Sequence, residues 1–147
     1  MKNLQNLTHF ELAKTMAIRY GSLPRVQAVT IGGSQTVGSA DSNSDIDLYV
    51  YAEAEIPVAQ RGEIASSFAG DRCEIDNQFW ESGDEWIDDK TGIHVDVMFR
   101  DVYWIEDQLD RVLNRYEASV GYSTCILYNV LHSDLLYDRD AWYESLQ

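Results

Sequence analysis

The sequence predicts an α/β domain in which about four to five strands are flanked by helices. Three observations carry this prediction. The run 26–31 is rich in β-branched residues, as is typical of a buried strand. Apolar and polar residues alternate over 93–99, as they do in a half-buried strand. Apolar residues recur at helical spacing over 8–20 and 102–116, which indicates amphipathic helices.

The N-terminal part is predicted to contain one helix and two strands. The helix over 8–20 can begin with a capping box, because Glu11 follows Thr8 by three residues. A glycine and a proline then end it. The strand over 26–31 follows, and a second strand is predicted over 45–51.

The middle of the chain continues the alternation of helix and strand. Pro57 suits the first position of a helix that we expect to extend to about Phe68. A half-exposed strand is predicted over 74–80, and residues 81–89 form an acidic loop or hairpin that contains a tryptophan. The strand over 93–99 comes next.

The C-terminal part is predicted to be mostly helical. After the amphipathic helix over 102–116, a second helix is expected over 123–131. Residues 135–137 form a short extended run, and a further helix begins near Asp140.

Composition and charge indicate the number of domains and the kind of partner that the protein can bind. The chain has 147 residues, which suits one domain with a core of its own. Its formal net charge of −14 argues against a nucleic-acid template, because such binding depends on Lys and Arg contacts to phosphate. An acidic field attracts a cationic partner instead, although it also serves plain solubility.

Location is predicted from three further features. No apolar run approaches the ~20 residues that span a bilayer, and the N-terminus has no apolar signal core. Cys73 and Cys125 lack the spacing of metal ligands and are expected to be reduced thiols. We therefore expect a cytoplasmic protein with no membrane partner.

One dense motif follows the first strand. Gly32-Gly33-Ser34 leaves backbone N–H groups and a hydroxyl for an anion such as phosphate. Downstream, Ser44-Asp45-Ile46-Asp47-Leu48 sets two aspartates two residues apart. On a strand such residues point to the same face, about 7 Å apart. Paired carboxylates suit hard cations, so the motif suggests phosphoryl-group chemistry.

These residues resemble the signature of the DNA polymerase β-type nucleotidyltransferase superfamily. That signature is a hydrophobic strand, Gly-Ser, a short helix with a further Gly, and then Ser-Asp-x-Asp-Leu. Residues 31–50 match it almost without a gap. The family's third carboxylate, between apolar residues on a later strand, is matched by Asp96 between Val95 and Val97.

The resemblance implies a nucleotidyltransferase fold with a mixed central sheet. Residues 1–120 would form a catalytic domain like that of the small-molecule or antibiotic adenylyltransferases. Residues 121–147 would form a helical extension, either the start of a truncated C-terminal helical domain or the end of a short family member.

The resemblance also implies roles for individual residues. Two Mg²⁺ ions would be held by three carboxylates that are also catalytic: Asp45, Asp47 and Asp96. Because the ligands must reach the ions from two sides, the strand of Asp96 should lie beside the strand of Asp45 and Asp47. ATP or another nucleoside triphosphate would be bound by Gly32, Gly33, Ser34 and Ser44, the last of which would orient an aspartate. Asp96 would in addition accept the proton of the acceptor hydroxyl.

Several residues near these carboxylates in the sequence have more than one interpretation. His94 should share the face of Asp96, as an acceptor-side base, a partner of that carboxylate or a surface histidine. Lys90 and Arg100 could contact phosphate or form surface ion pairs. Tryptophans could stack on a base or pack in the core: Trp80, Trp86 and Trp104.

Three functions remain open at this stage. The first is transfer of a nucleoside monophosphate, AMP by preference, to the hydroxyl of a small, cationic acceptor. The alternative is a minimal nucleotidyltransferase antitoxin that adenylylates or binds a partner toxin protein. The third is a binding module without activity, which the three carboxylates argue against.

Overall fold

A six-stranded mixed sheet forms the centre of the protein. The computed structural model describes residues 4–32, 46–69, 73–77, 83–89, 91–113, 130 and 133–146. The strands are β1 (Val26–Ile31), β2 (Ile46–Ala52), β3 (Cys73–Asn77), β4 (Gly83–Ile87), β5 (His94–Asp101) and β6 (Asp134–Asp138). The helices are α1 (Leu4–Gly21), α2 (Val58–Ala69), α3 (Val102–Leu113) and α4 (Trp142–Leu146), the last following a 3₁₀ turn at Arg139–Ala141.

The strand order is β3-β4-β5-β2-β1-β6. β2 and β5 are parallel, whereas the other neighbouring strands pair antiparallel. The predicted α/β class with a mixed sheet flanked by helices is therefore confirmed. β6 extends the sheet beyond the expected four to five strands.

Each face of the sheet has its own hydrophobic core. On one face α1 and α2 cover side chains that have no solvent exposure, such as Leu48, Val50 and Val97. On the other face α3 and α4 pack over Ala28 and Tyr51. This second core covers the half of β2 that contains Tyr51. Asp47 lies at the opposite end of the same strand.

β4 occupies a segment that the sequence predicts as an acidic loop or hairpin. Burial of Trp86 stabilises this segment as a strand of the sheet. Its side chain is only 2% exposed and stacks on Phe68 at a centroid distance of 6.3 Å. The strand predicted over 74–80 is confirmed as far as Asn77, and residues 78–80 lie outside the described residues. The free energy gained by burying this large aromatic ring thus exceeds the cost of placing the polar residues around it in a strand.

The C-terminal segment packs onto the sheet. The extended run predicted over 135–137 is confirmed and becomes the edge strand β6, paired with β1. Asp138 then caps the next helix, because its carboxylate accepts hydrogen bonds from the backbone N–H groups of Tyr143 and Glu144. Most of the helix predicted over 123–131 lies outside the described residues, and the domain boundary at residue 120 stays a prediction.

Among the described residues, no helix combines the length and the apolar character that crossing a bilayer requires.

Candidate functional site

Three neighbouring strands place three carboxylates in one row. Asp47 on β2 is the register partner of Asp96 on β5, and Asp96 is in turn the partner of Glu85 on β4. Neighbouring strands lie about 4.8 Å apart, so these side chains are immediate neighbours. All three are half-buried. The prediction that Asp96 lies on a strand beside the one bearing Asp47 is confirmed.

The hydrophobic pattern fixes which face carries the carboxylates. Ile46 and Leu48 flank Asp47 and have no solvent exposure, as do Val95 and Val97 beside Asp96. Because side chains alternate along a strand, burying these residues against α1 and α2 turns both aspartates to the opposite face. A slip of one residue in the register would bury the aspartates, so the core itself enforces their position.

The predicted glycine turn begins beside Asp47. β1 ends at Ile31, and the backbone N–H of Gly32 donates a 3.0 Å hydrogen bond to the carbonyl oxygen of Asp47. β1 and β2 are antiparallel, so the end of β1 meets the start of β2. Gly32 is buried at this junction.

The remaining predicted site residues are Gly33, Ser34, Ser44 and Asp45. They lie outside the described residues, as do Lys90 and Trp80. Their roles in binding metal or nucleotide stay predictions. The structure brings together Gly32, Asp47 and Asp96 from the predicted set.

His94 lies between two of the carboxylates. Its Nδ1 atom is 3.5 Å from Oδ2 of Asp96, and its Nε2 atom is 3.5 Å from Oε2 of Glu85. The expectation that His94 shares the face of Asp96 is confirmed. Glu85 was not predicted, because its segment lacks the alternation that would mark a strand, and the only sequence signal was a local run of acidic residues.

The environment of Asp96 disfavours its ionised form. Burial raises its pKa to about 6, and the negative charge of Asp47 and the contact with Glu85 act in the same direction, whereas His94 opposes them. A carboxylate beside other carboxylates is stabilised by a cation. The donor set of Asp47 and Asp96 therefore fits a hard divalent ion, which prefers oxygen ligands.

Arg100 separates the carboxylate row from the second core. Its guanidinium lies over the ring of Tyr49 at 4.4 Å and donates a 3.0 Å hydrogen bond to the hydroxyl of Tyr51. The side chain is 7% exposed. Of its two predicted interpretations, a surface ion pair is therefore wrong, because aromatic rings bury this cation. Trp86 likewise packs in the core.

Comparisons with known proteins find similar folds among solved structures. No family model matches the sequence, and no curated protein matches it. Among solved structures, the fold is similar to the 1.40 Å crystal structure of a candidate nucleotidyltransferase from Sulfolobus solfataricus. The two sequences are 20% identical, the match covers 92% of this chain and 86% of that chain, and the TM-score is 0.46.

Proposed function

We propose that this protein is a Mg²⁺-dependent nucleotidyltransferase that moves a nucleoside monophosphate, AMP by preference, from the triphosphate to a hydroxyl group and releases pyrophosphate. One observation carries the proposal. Two carboxylates that the sequence motif places more than 45 residues apart, Asp47 and Asp96, are register partners on parallel strands. Carboxylates from two strands can approach metal ions from two sides, as phosphoryl transfer with two cations requires.

Each residue of the site has a role that follows from its position. Asp47 and Asp96 would hold the metal, together with Asp45. Bound there, two Mg²⁺ ions would stabilise the charge on the attacking and leaving oxygens. Gly32 begins the turn in which Gly33 and Ser34 would donate hydrogen bonds to the triphosphate. Because glycine has no side chain, its backbone can approach a phosphate closely.

Asp96 would also accept the proton of the acceptor hydroxyl. A general base works best when its pKa is close to the working pH, and burial raises the pKa of Asp96 to about 6 in the metal-free protein. The carboxylate is therefore ionised at neutral pH, as a proton acceptor must be. Asp47 in the next strand keeps the region negative.

The acceptor we propose is a small cationic molecule with a free hydroxyl, such as an aminocyclitol. The net charge of −14 would draw a cation toward the site and would repel a nucleic-acid template. Acidic side chains that face the site without binding metal would hold amino groups of the acceptor through charge-assisted hydrogen bonds.

Pyrophosphate release from ATP and Mg²⁺ tests the proposal when it is measured over a panel of hydroxylated polyamines and neutral sugars. We expect acceptor-dependent release with cationic members only. Asp96→Asn should lower the rate by about 10²–10⁴-fold, because it removes the proton acceptor and one metal-ligand charge. Asp140→Asn changes an exposed residue in the 3₁₀ turn and is the matched control. Transfer of the nucleoside monophosphate to a protein, but to no small molecule, would favour the antitoxin alternative.

A further inference from the structure

Glu85, His94 and Asp96 form a cluster that the proposed Mg²⁺ site does not explain. One ligand atom from each residue lies within 4.8 Å of the other two. Glu85 and Asp96 come from facing positions of an antiparallel pair, and His94 precedes Asp96 by two residues on the same face. The imidazole is thus held between two carboxylates that belong to different strands.

Hydrogen bonds between the end of β4 and the start of β5 fix these strands relative to each other. The carboxylate of Asp88, which is 2% exposed, accepts hydrogen bonds from the backbone N–H and the hydroxyl of Thr91. The backbone N–H of Asp88 donates a hydrogen bond to the carbonyl of Ile93, and its carbonyl accepts one from the N–H of Gly92. Gly92 has a φ of 74°, which favours glycine over other residues. β4 and β5 therefore present Glu85 and His94 from a rigid frame, as a preorganised site requires.

The cluster is wider than a closed coordination shell, because its ligand atoms lie within 4.8 Å of one another. Ligand atoms at about 2.1 Å from a metal ion lie about 3–4 Å from one another. Nδ1 of His94 lies 3.5 Å from Asp96, whereas the opposite ring nitrogen, Nε2, lies 3.5 Å from Glu85, so an ion shared by all three residues would keep only one of these nitrogens as a ligand. The side chains of His94 and Asp96 are 37% and 32% exposed, so small rotations can bring the three ligand atoms together.

The pairing of Glu85 with Asp96 supports a cation independently. Like charges at facing positions of neighbouring strands destabilise a sheet. Asp47 adds a third carboxylate on the far side of Asp96. A divalent cation bound by Glu85 and Asp96 would remove this repulsion.

The ligand chemistry decides which cation fits. Mg²⁺ and Ca²⁺ prefer oxygen ligands, and Mg²⁺ in addition keeps several waters. An imidazole nitrogen with carboxylate oxygens suits first-row transition ions instead. We propose that Glu85, His94 and Asp96 bind a divalent transition-metal ion, such as Zn²⁺ or Mn²⁺, which takes the place of the Mg²⁺ on the Asp96 side and leaves Mg²⁺ on the Asp47 side. This inference rests on the proposed function only for the role of Asp96.

Calorimetric titration of the nucleotide-free chain with Zn²⁺, Mn²⁺ and Mg²⁺ tests the inference directly. We expect Zn²⁺ and Mn²⁺ to bind more tightly than Mg²⁺. His94→Gln and Glu85→Gln should each weaken Zn²⁺ binding by at least about tenfold, because loss of a group that holds or orients a metal costs 10- to 100-fold in affinity. Asp47→Asn should change Zn²⁺ affinity much less, because Asp47 is not one of the three ligands.

The matched control is Glu63→Gln, which removes the same charge from an exposed position on α2. Zn²⁺ should raise the melting temperature of the parent and of this control, and should not raise that of His94→Gln. Equal Zn²⁺ affinity in the parent and His94→Gln would overturn the inference, as would a parent that binds no Zn²⁺. A parent that binds Mg²⁺-ATP but no Zn²⁺ would overturn only the inference. Zn²⁺ binding through His94 without Mg²⁺-ATP binding would count against only the proposed function.

Discussion

Asp47 lies directly beside Asp96, one on each of the two parallel strands at the centre of the sheet. The relationship follows from the hydrophobic core, because the buried residues that flank each aspartate along its own strand would be turned to solvent by a slip of one residue in the register. Folding therefore brings like charges together, and their repulsion lowers the free energy of unfolding. This cost is the basis of the first prediction.

Asp96→Asn should stabilise the metal-free protein at neutral pH. Burial raises the pKa of Asp96 from an ordinary value of 3.8 to about 6. Between these values the folded state keeps a proton that the unfolded chain has lost, so stability falls as pH rises through that window. Asparagine removes this penalty, and we expect a gain of about 1 kcal/mol at pH 7.5 after allowance for solvent screening.

Urea denaturation at pH 4 and pH 7.5, with a chelator present, measures the difference. The gain should vanish at pH 4, where Asp96 is protonated in the folded parent. Asp140→Asn removes the same charge at an exposed position and is the control. A variant that is less stable than the parent at pH 7.5 would contradict the electrostatic account of this site.

The buried ion pair between Arg61 and Asp84 should be critical for folding. Nε of Arg61 lies 3.0 Å from Oδ2 of Asp84, both side chains are almost fully buried, and the guanidinium lies over the ring of Phe99 at 4.3 Å. Arg61→Ala should cost about 3–5 kcal/mol, because it leaves a buried carboxylate without its guanidinium partner. Chemical denaturation measures the loss.

A double variant separates the charge from the packing. Replacing Arg61 by Met and Asp84 by Leu removes both charges and keeps most of the volume, so it should be clearly more stable than Arg61→Ala. Arg25→Ala, at an exposed position, should change stability by less than about 0.5 kcal/mol. If the double variant were as unstable as the single one, packing rather than charge would account for the loss.

Arg139 should tie the C-terminal segment to the sheet. Its guanidinium donates hydrogen bonds of 3.1 Å to the carbonyl of Val26 and 3.2 Å to the carbonyl of Gly21, where α1 ends. Arg139→Ala should lower stability by about 2 kcal/mol, because two partly buried carbonyls lose a charged donor. Amide hydrogen exchange in β1 should accelerate. Arg19→Ala, which breaks an exposed contact with Ser67, is the control and should leave that exchange unchanged.

Much of the site could be predicted from sequence because its signals are local. Strand alternation around Asp47 and Asp96 fixed which residues face the core, and the motif order suggested that their strands are neighbours. The sequence left residues 81–89 as a loop or a hairpin and did not single out Glu85, since Trp86 is buried by residues distant in sequence, such as Phe68. The pairing of β6 with β1 was likewise invisible, because a short run such as 135–137 carries no information about its partner strand.

The central claim is that Asp47 and Asp96 form a metal-dependent nucleotide site, and calorimetric titration with ATP tests it most directly. The parent should bind ATP at least about tenfold more tightly with Mg²⁺ than with a chelator, and Asp47→Asn should lose that difference. Asp96→Asn should keep most of it, because Asp45 and Asp47 would still hold the ion on the phosphates. Equal ATP affinity with and without Mg²⁺, or an Asp47→Asn variant that behaves like the parent, would contradict the account.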